Sequence, residues 1–301
     1  MPRPTLLLLL SLLGISTTFQ ATAQATSQAP MLRGRVLDAK TRLPVPYASL
    51  SLRTEPDWTL ANAKGHFKLA APKKSATDTL LVECPGYLPR PVVLRNRALP
   101  DTILTLEKVV TTPKLQPVNS APATIQRLGA LTKKPGVGMI MGSMGAQFAL
   151  LMKPSPKHRL GSIQNVSIFI DENGFPKDSF RIRIYRADGS NHSPGTNLLN
   201  DNLIVAAPVG GQWFTVDISK YVIEVPHDGF FVAMEWIVDK GNFSFDGPQG
   251  SMGQIMRPTY EFKDSRTWSF TVGKGWQLLT IKTQEARSYN VMIRAEVDEL
   301  K

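Results

Sequence analysis

The chain has one cysteine, Cys84, among its 301 residues, so an internal disulfide is excluded and the core must hold by burial alone. Zinc-peptidase chemistry needs a His-x-x-Glu pair, yet none of His66, His158, His192 or His227 has a glutamate three residues on. A phosphate-binding glycine loop is also missing. Gly273-Lys274-Gly275 is too short and lacks the following serine or threonine. Gly142-Ser143-Met144-Gly145 and Gly250-Ser251-Met252-Gly253 fall short of a nucleophile elbow, because Met141 and Gln249 stand where the first glycine belongs. No acidic residue occurs between positions 111 and 160, and no long amphipathic helical pattern interrupts the stretch from about 147 to the end. These gaps argue against an enzyme, and no cofactor is implied.

What is present begins with targeting. Arg3 precedes an apolar run from Leu6 to Leu13, and Ala21-Thr22-Ala23 or Ala23-Gln24-Ala25 offers a small-residue cleavage site. That pattern reads as a signal peptide over residues 1–25 and predicts an exported protein, in the periplasm or on the outer cell surface. The run is too short to cross a bilayer, and no cysteine follows it to carry a lipid.

With 35 basic and 24 acidic residues the net charge is +11. The segment 111–160 concentrates it in Lys114, Arg127, Lys133, Lys134, Lys153, Lys157 and Arg159. Its first part, rich in Pro, Thr and Ser, reads as a linker, assigned here to 109–135. Such a basic stretch suits either solubility or peripheral contact with anionic surfaces. Nucleic acid is a poor partner, since the bases lack interleaved aromatics. Gly136–Met152 is uncharged and near the minimum length for a membrane span, but its glycines fit a turn leading into a buried strand at 146–152 better. No transmembrane helix is therefore expected after removal of the leader.

From residue 30 to 108 the pattern is one of short alternating strands. Val36, Ala48, Leu50 and Leu52 recur at period 2, as do Phe67 and Leu69, so each strand offers one apolar face. Asp38 to Pro46 reads as a hairpin connection between the first two strands, and Gly65 and Gly86 stand where turns need positive φ. Cys84 beside Val82 reads as a buried thiol. The segments Gly34-Arg35-Val36-Leu37-Asp38, Pro44 to Leu52, Asn62-Ala63-Lys64-Gly65-His66-Phe67-Lys68-Leu69 and Leu80 to Tyr87 closely resemble the carboxypeptidase regulatory-like domain. That family is a small prealbumin-like β-sandwich found in secreted and surface proteins of Bacteroidota. The resemblance implies a fold and a compartment but no peptidase activity.

From 136 to 301 a second all-β unit is expected. Ser162 to Ile170 alternates, Asp171-Glu172-Asn173-Gly174 reads as a hairpin turn, and Phe180 to Tyr185 follows. Strands at 203–206, 212–218, 229–237, 268–272 and 289–297 complete a jelly-roll-like sandwich. Gly211 to Ser219, Gly229 to Trp236 and Asn290 to Ala295 resemble the later strands of adhesin-type jelly rolls, which occur in exported Bacteroidota proteins beside carbohydrate-binding modules.

Candidate binding residues are aromatic, because sugar rings stack their C–H faces on Trp and Tyr. Trp213 and Trp236 lie among apolar strand neighbours and read as core. Trp58, Tyr260, Trp268 and Trp276 read as loop or near-loop positions, and the stretch Met256–Trp276 adds Arg257, Lys263, Asp264 and Arg266. Asp171, Asn173 and Asp178 form a weak calcium candidate against a plain solvated hairpin. The expectation is an all-β exported interaction module that binds a polysaccharide or another envelope component through these loops. The alternatives are a structural role docking to an envelope protein and, least favoured, a hydrolase.

Overall fold

The computed structural model describes residues 30–99, 102–110, 124–237, 253–284 and 286–300. The expected leader, residues 1–25, and Lys114 lie outside them. Among the described residues the only helical turns are two three-residue 3-10 turns, Ser190–His192 and Ser219–Tyr221. The chain is all-β, built as two sandwiches in series.

The first sandwich contains β1 (Met31–Asp38), β2 (Ser49–Leu52), β3 (Trp58–Leu60), β4 (His66–Ala70), β5 (Asp78–Glu83), β6 (Arg90–Leu94) and β7 (Ile103–Leu106). One sheet has the order β4-β1-β7 and the other β3-β2-β5-β6. Period-2 burial fills the space between them with Val36, Leu50, Leu80, Val82, Leu94 and Leu104, each 1% exposed or less. Asp38–Pro46 is not a hairpin connection. β1 pairs with β4 and β7 while β2 pairs with β3 and β5, so this segment crosses between layers, turning back on β1 through a bridge from Leu37 to Pro44 and bonds to the Asp38 carboxylate from the Lys40 and Thr41 backbone. Gly65 and Gly86 do adopt φ of +76° and +82°, and Cys84 is buried.

The second sandwich begins earlier than the sequence suggests. Within the expected linker, β8 (Thr124–Gly129) forms an edge strand of this unit. There follow β9 (Gln147–Met152), β10 (Leu160–Gly174), β11 (Phe180–Arg186), β12 (Ile204–Val205), β13 (Gln212–Asp217) and β14 (Phe230–Trp236). The chain ends with β15 (Gln254–Met256), β16 (Pro258–Thr259), β17 (Thr267–Thr271), β18 (Gly275–Leu278), β19 (Asn290–Val291) and β20 (Ile293–Glu299). One sheet runs β13-β10-β20-β8, with β15 also on β10, and the other runs β12-β11-β14-β9-β17-β18. Strands distant in sequence thus become neighbours, as a jelly-roll-like sandwich requires. Asp171–Gly174 belongs to the end of β10, and β11 lies in the opposite sheet, so the expected hairpin is instead a crossover.

Between the two sheets, Ile168, Ile182, Ile184, Val232, Met234 and Ile293 meet with Trp236, all essentially inaccessible. Trp236 Nε1 donates to the Gln254 carbonyl at 2.9 Å, so its polar edge is satisfied in the core. Trp213 is not in this core. It sits half-buried on the outer face, with the Arg294 guanidinium 4.1 Å above its ring. No helix of the described residues is long and apolar enough to cross a membrane.

Candidate binding cleft at the seam of the two sandwiches

The outward face of the six-stranded sheet decides where the two units meet. Odd-numbered residues of β11 point away from the core, which puts Arg181, Arg183 and Tyr185 in cross-strand register with Glu235, Ala233 and Phe231 of β14. Every residue of β14 is buried, on both faces, so something must cover the outer one. At one end of that face the cover is the first sandwich.

Arg181 is the pin of this contact. Its Nη1 donates to Glu235 Oε1 at 2.6 Å and its Nε to Asn202 Oδ1 at 2.8 Å, both within the second unit. Its Nη2 donates across the seam to the Tyr47 carbonyl at 2.7 Å. Asn202 Nδ2 adds a bond to the Pro46 carbonyl at 2.9 Å. Around these bonds Tyr47 and Leu60 pack on Ile237, with Trp58, Met144 and Ile204 at the margin. Gly145, at φ +76°, makes room for Trp58. A Cβ there would lie 2.6 Å from the indole. Gly86 meets the Asn200 carbonyl in the same manner, at 3.1 Å from the position of its absent Cβ.

The seam does not close completely. A cleft of about 420 Å³ remains, with Ser49, Ser51, Trp58, Glu83 and Cys84 on one wall and Gln147, Arg181, Arg183, Glu235 and Phe270 on the other. Asn197 and Asn200 line it from the β11–β12 connection. This combination of a half-buried indole, a phenyl ring and converging amide, guanidinium and carboxylate groups suits a polar ligand that has apolar faces. Burial pushes the Cys84 thiol up to about 11, so it stays protonated and poorly nucleophilic at neutral pH. Burial likewise raises the Tyr87 phenol to about 12 and pushes up that of Tyr185, whose hydroxyl donates to Gln147 Oε1 at 2.8 Å. Glu235 is engaged by two guanidinium groups, Arg181 at 2.6 Å and Arg183 at 3.5 Å.

The residues picked out by sequence fall in three places. Trp58 lines the cleft. Trp268 and Trp276 are not loop residues but members of β17 and β18. Trp268 is only 9% exposed and packs edge-on to Phe231, and Trp276 packs on Tyr185 and on the cleft residue Phe270. They form an aromatic row on the same sheet face, beside the cleft, instead of an exposed platform. Tyr260, Arg257 and Arg266 are elsewhere. Tyr260 packs on Tyr289, Arg257 lies 3.2 Å from Asp171, and Arg266 pairs with Asp264 at 3.0 Å while covering the Phe262 ring at 4.2 Å. The calcium candidates are also separated in role. Asp171 faces Arg257 and accepts from the Asn173 backbone and side chain at 2.9 and 2.6 Å, whereas Asp178 is exposed. Among the described residues no group of three or more His, Cys, Asp or Glu could hold a metal ion.

The basic segment is likewise dispersed. Arg127 pairs with Glu296 at 2.8 Å and Lys153 with Asp264 at 2.6 Å. The exposed Lys157, His158 and Arg159 border an open depression of about 620 Å³ with the exposed His227 and the buried Pro226. Its ring of exposed loops lacks the buried polar groups that give the seam cleft its definition. The chain matches no family model and no curated protein.

Proposed function

We propose that this chain is a non-catalytic binding module of the cell envelope, exported through its N-terminal leader, and that it takes a saccharide unit into the seam cleft. The observation that carries this reading is the cleft itself, where an indole, a phenyl ring and side chains with both donors and acceptors converge on about 420 Å³. A sugar ring has the matching chemistry, with C–H faces for Trp58 and Phe270 and hydroxyls for Asn197, Asn200 and Glu83. A binding role is supported by Arg181, which is committed to Glu235 and to the Tyr47 carbonyl across the seam, and by the Cys84 thiol, which burial holds protonated.

The site of binding is therefore the seam, not the Met256–Trp276 edge. A polysaccharide array probed with the full chain tests this. Signal on envelope sugars should fall at least about tenfold for Trp58→Ala, since one stacked aromatic face and its buried area are lost. Tyr260→Ala, on the distant edge, should leave it unchanged. The reading is overturned by an array blank across acidic and neutral sugars alike, or by a loss confined to the Tyr260 variant.

A further inference from the structure

Five buried side-chain polar atoms among the described residues lack a hydrogen-bond partner, and two of them, Arg183 Nε and Asn197 Oδ1, belong to residues lining this one cleft. Buried polar groups are nearly always satisfied, so each exception asks for a cause. The other three have one close by. Arg257 Nε lies 3.2 Å from Asp171, and Arg294 and Trp213 are stacked on each other at 4.1 Å. Arg183 has the longer Glu235 contact and the Tyr185 ring beside it and Asn197 has neither, so what the two have in common is the cavity.

Charge leads to the same place. Arg181, Arg183 and Glu235 are the buried or half-buried charges of the cleft, while Glu83 is exposed at its margin. Arg181 is bonded at all three of its nitrogens, including the 2.6 Å contact to Glu235. Arg183 reaches Glu235 only through Nη1, at 3.5 Å, and rests 5.1 Å over the Tyr185 ring. One guanidinium is therefore left without a full counter-charge, a costly state away from water. Its free edge, Nε with Nη2, is the planar pair of donors that matches a carboxylate through two parallel bonds. Asn197 spends its amide nitrogen on the Leu199 carbonyl at 2.9 Å, which leaves Oδ1 to accept from a hydroxyl.

We propose that the cleft selects an acidic sugar, a uronic acid unit whose carboxylate is received by Arg183 and one of whose hydroxyls is received by Asn197. This inference rests on the seam cleft being the binding site and adds the chemical class of its ligand.

Calorimetric titration of the full chain with a glucuronic acid oligosaccharide, and in parallel with the neutral glucose oligosaccharide of the same length, tests it. The acidic ligand should bind at least about tenfold tighter than the neutral one. Arg183→Gln should weaken the acidic ligand at least about tenfold more than the neutral one, and Arg183→Lys should restore only part of that difference, because a lysine keeps the charge but not the fork. Should Arg183→Gln fail to fold, Asn197→Asp serves in its place and should weaken the acidic ligand more than the neutral one. Equal affinities for the two ligands in the wild type, both reduced by Trp58→Ala, would overturn the acidic selectivity and leave the cleft reading intact. Binding of neither ligand, with the variants silent, would overturn the cleft reading itself.

Discussion

The two outer faces of the second sandwich use the same residue types to opposite ends. On the β13-β10-β20-β8 sheet, Ser167 meets Thr215 at 2.9 Å, Asn165 and Arg127 share Glu296, and Arg294 lies on Trp213, with the ion pair largely open to water on its arginine side. On the other sheet, Arg181 and Glu235 are 3% and 6% exposed and bind across to the first sandwich. The first arrangement is a polar ladder that is buried at Ser167 and opens to water at the Arg127–Glu296 pair, where an exposed pair contributes little. The second is a buried ion pair, tolerable because Arg181 and Glu235 are each committed to named partners. Cross-strand polar pairing is thus compatible with either a free surface or an interface, and burial separates the two.

Removing an arginine from each face should break this comparison most visibly. Arg181→Leu leaves Glu235 with only the longer Arg183 contact and strips two bonds at the seam. It should cost about 3–5 kcal/mol in urea unfolding and speed native-state alkylation of Cys84 at pH 8. Arg127→Leu, on the solvated face, should cost about 0–1 kcal/mol and leave the thiol as slow as in the wild type. Similar losses for both would mean the seam is no better defined than open surface. Between these extremes lies Gly145→Ala, which adds a Cβ to a φ of +76° and pushes on Trp58. A loss of about 1–3 kcal/mol in thermal unfolding is expected.

The smallest effect concerns pH. The hydrogen bond from Arg127 holds the Glu296 carboxyl below its ordinary 4.5, and that from Asn165 adds to this. The folded state then binds fewer protons than the unfolded one. Its stability contribution is complete above about pH 4.5 and is lost as pH falls through the lower folded value. Glu296→Gln should flatten the acid limb of a stability-versus-pH curve below pH 4.5. An unchanged limb would show that the ladder carries no such linkage.

Strand existence was legible because period-2 alternation is a local property, written into Val36, Leu50, Phe67 and Ile168. Strand partnership was not. The turn-like Asp38–Pro46 and Asp171–Gly174 both lead into the opposite sheet, since turn chemistry reports a change of direction and nothing about which layer receives the chain. The edge strand Thr124–Gly129 was hidden by its mixed Thr-Ile-Gln-Arg-Leu-Gly composition, which pairs along a margin without needing a buried face. Of the residues lining the seam cleft, Trp58 stood out in the sequence for its aromatic chemistry, whereas Arg181 and Arg183 alternate with Ile182 and Ile184, a pattern that suits the wet side of a strand. One signal was available. Phe230–Trp236 is apolar at nearly every position, and a strand apolar on both faces is a strand covered on both.

Binding at the seam is read most directly by hydrogen–deuterium exchange of the full chain with saturating glucuronic acid oligosaccharide. Protection is predicted in 83–89 and 195–202, the segments that meet at the seam, with 256–266 unchanged. Protection confined to 256–266, with the seam segments exchanging as before, would contradict it.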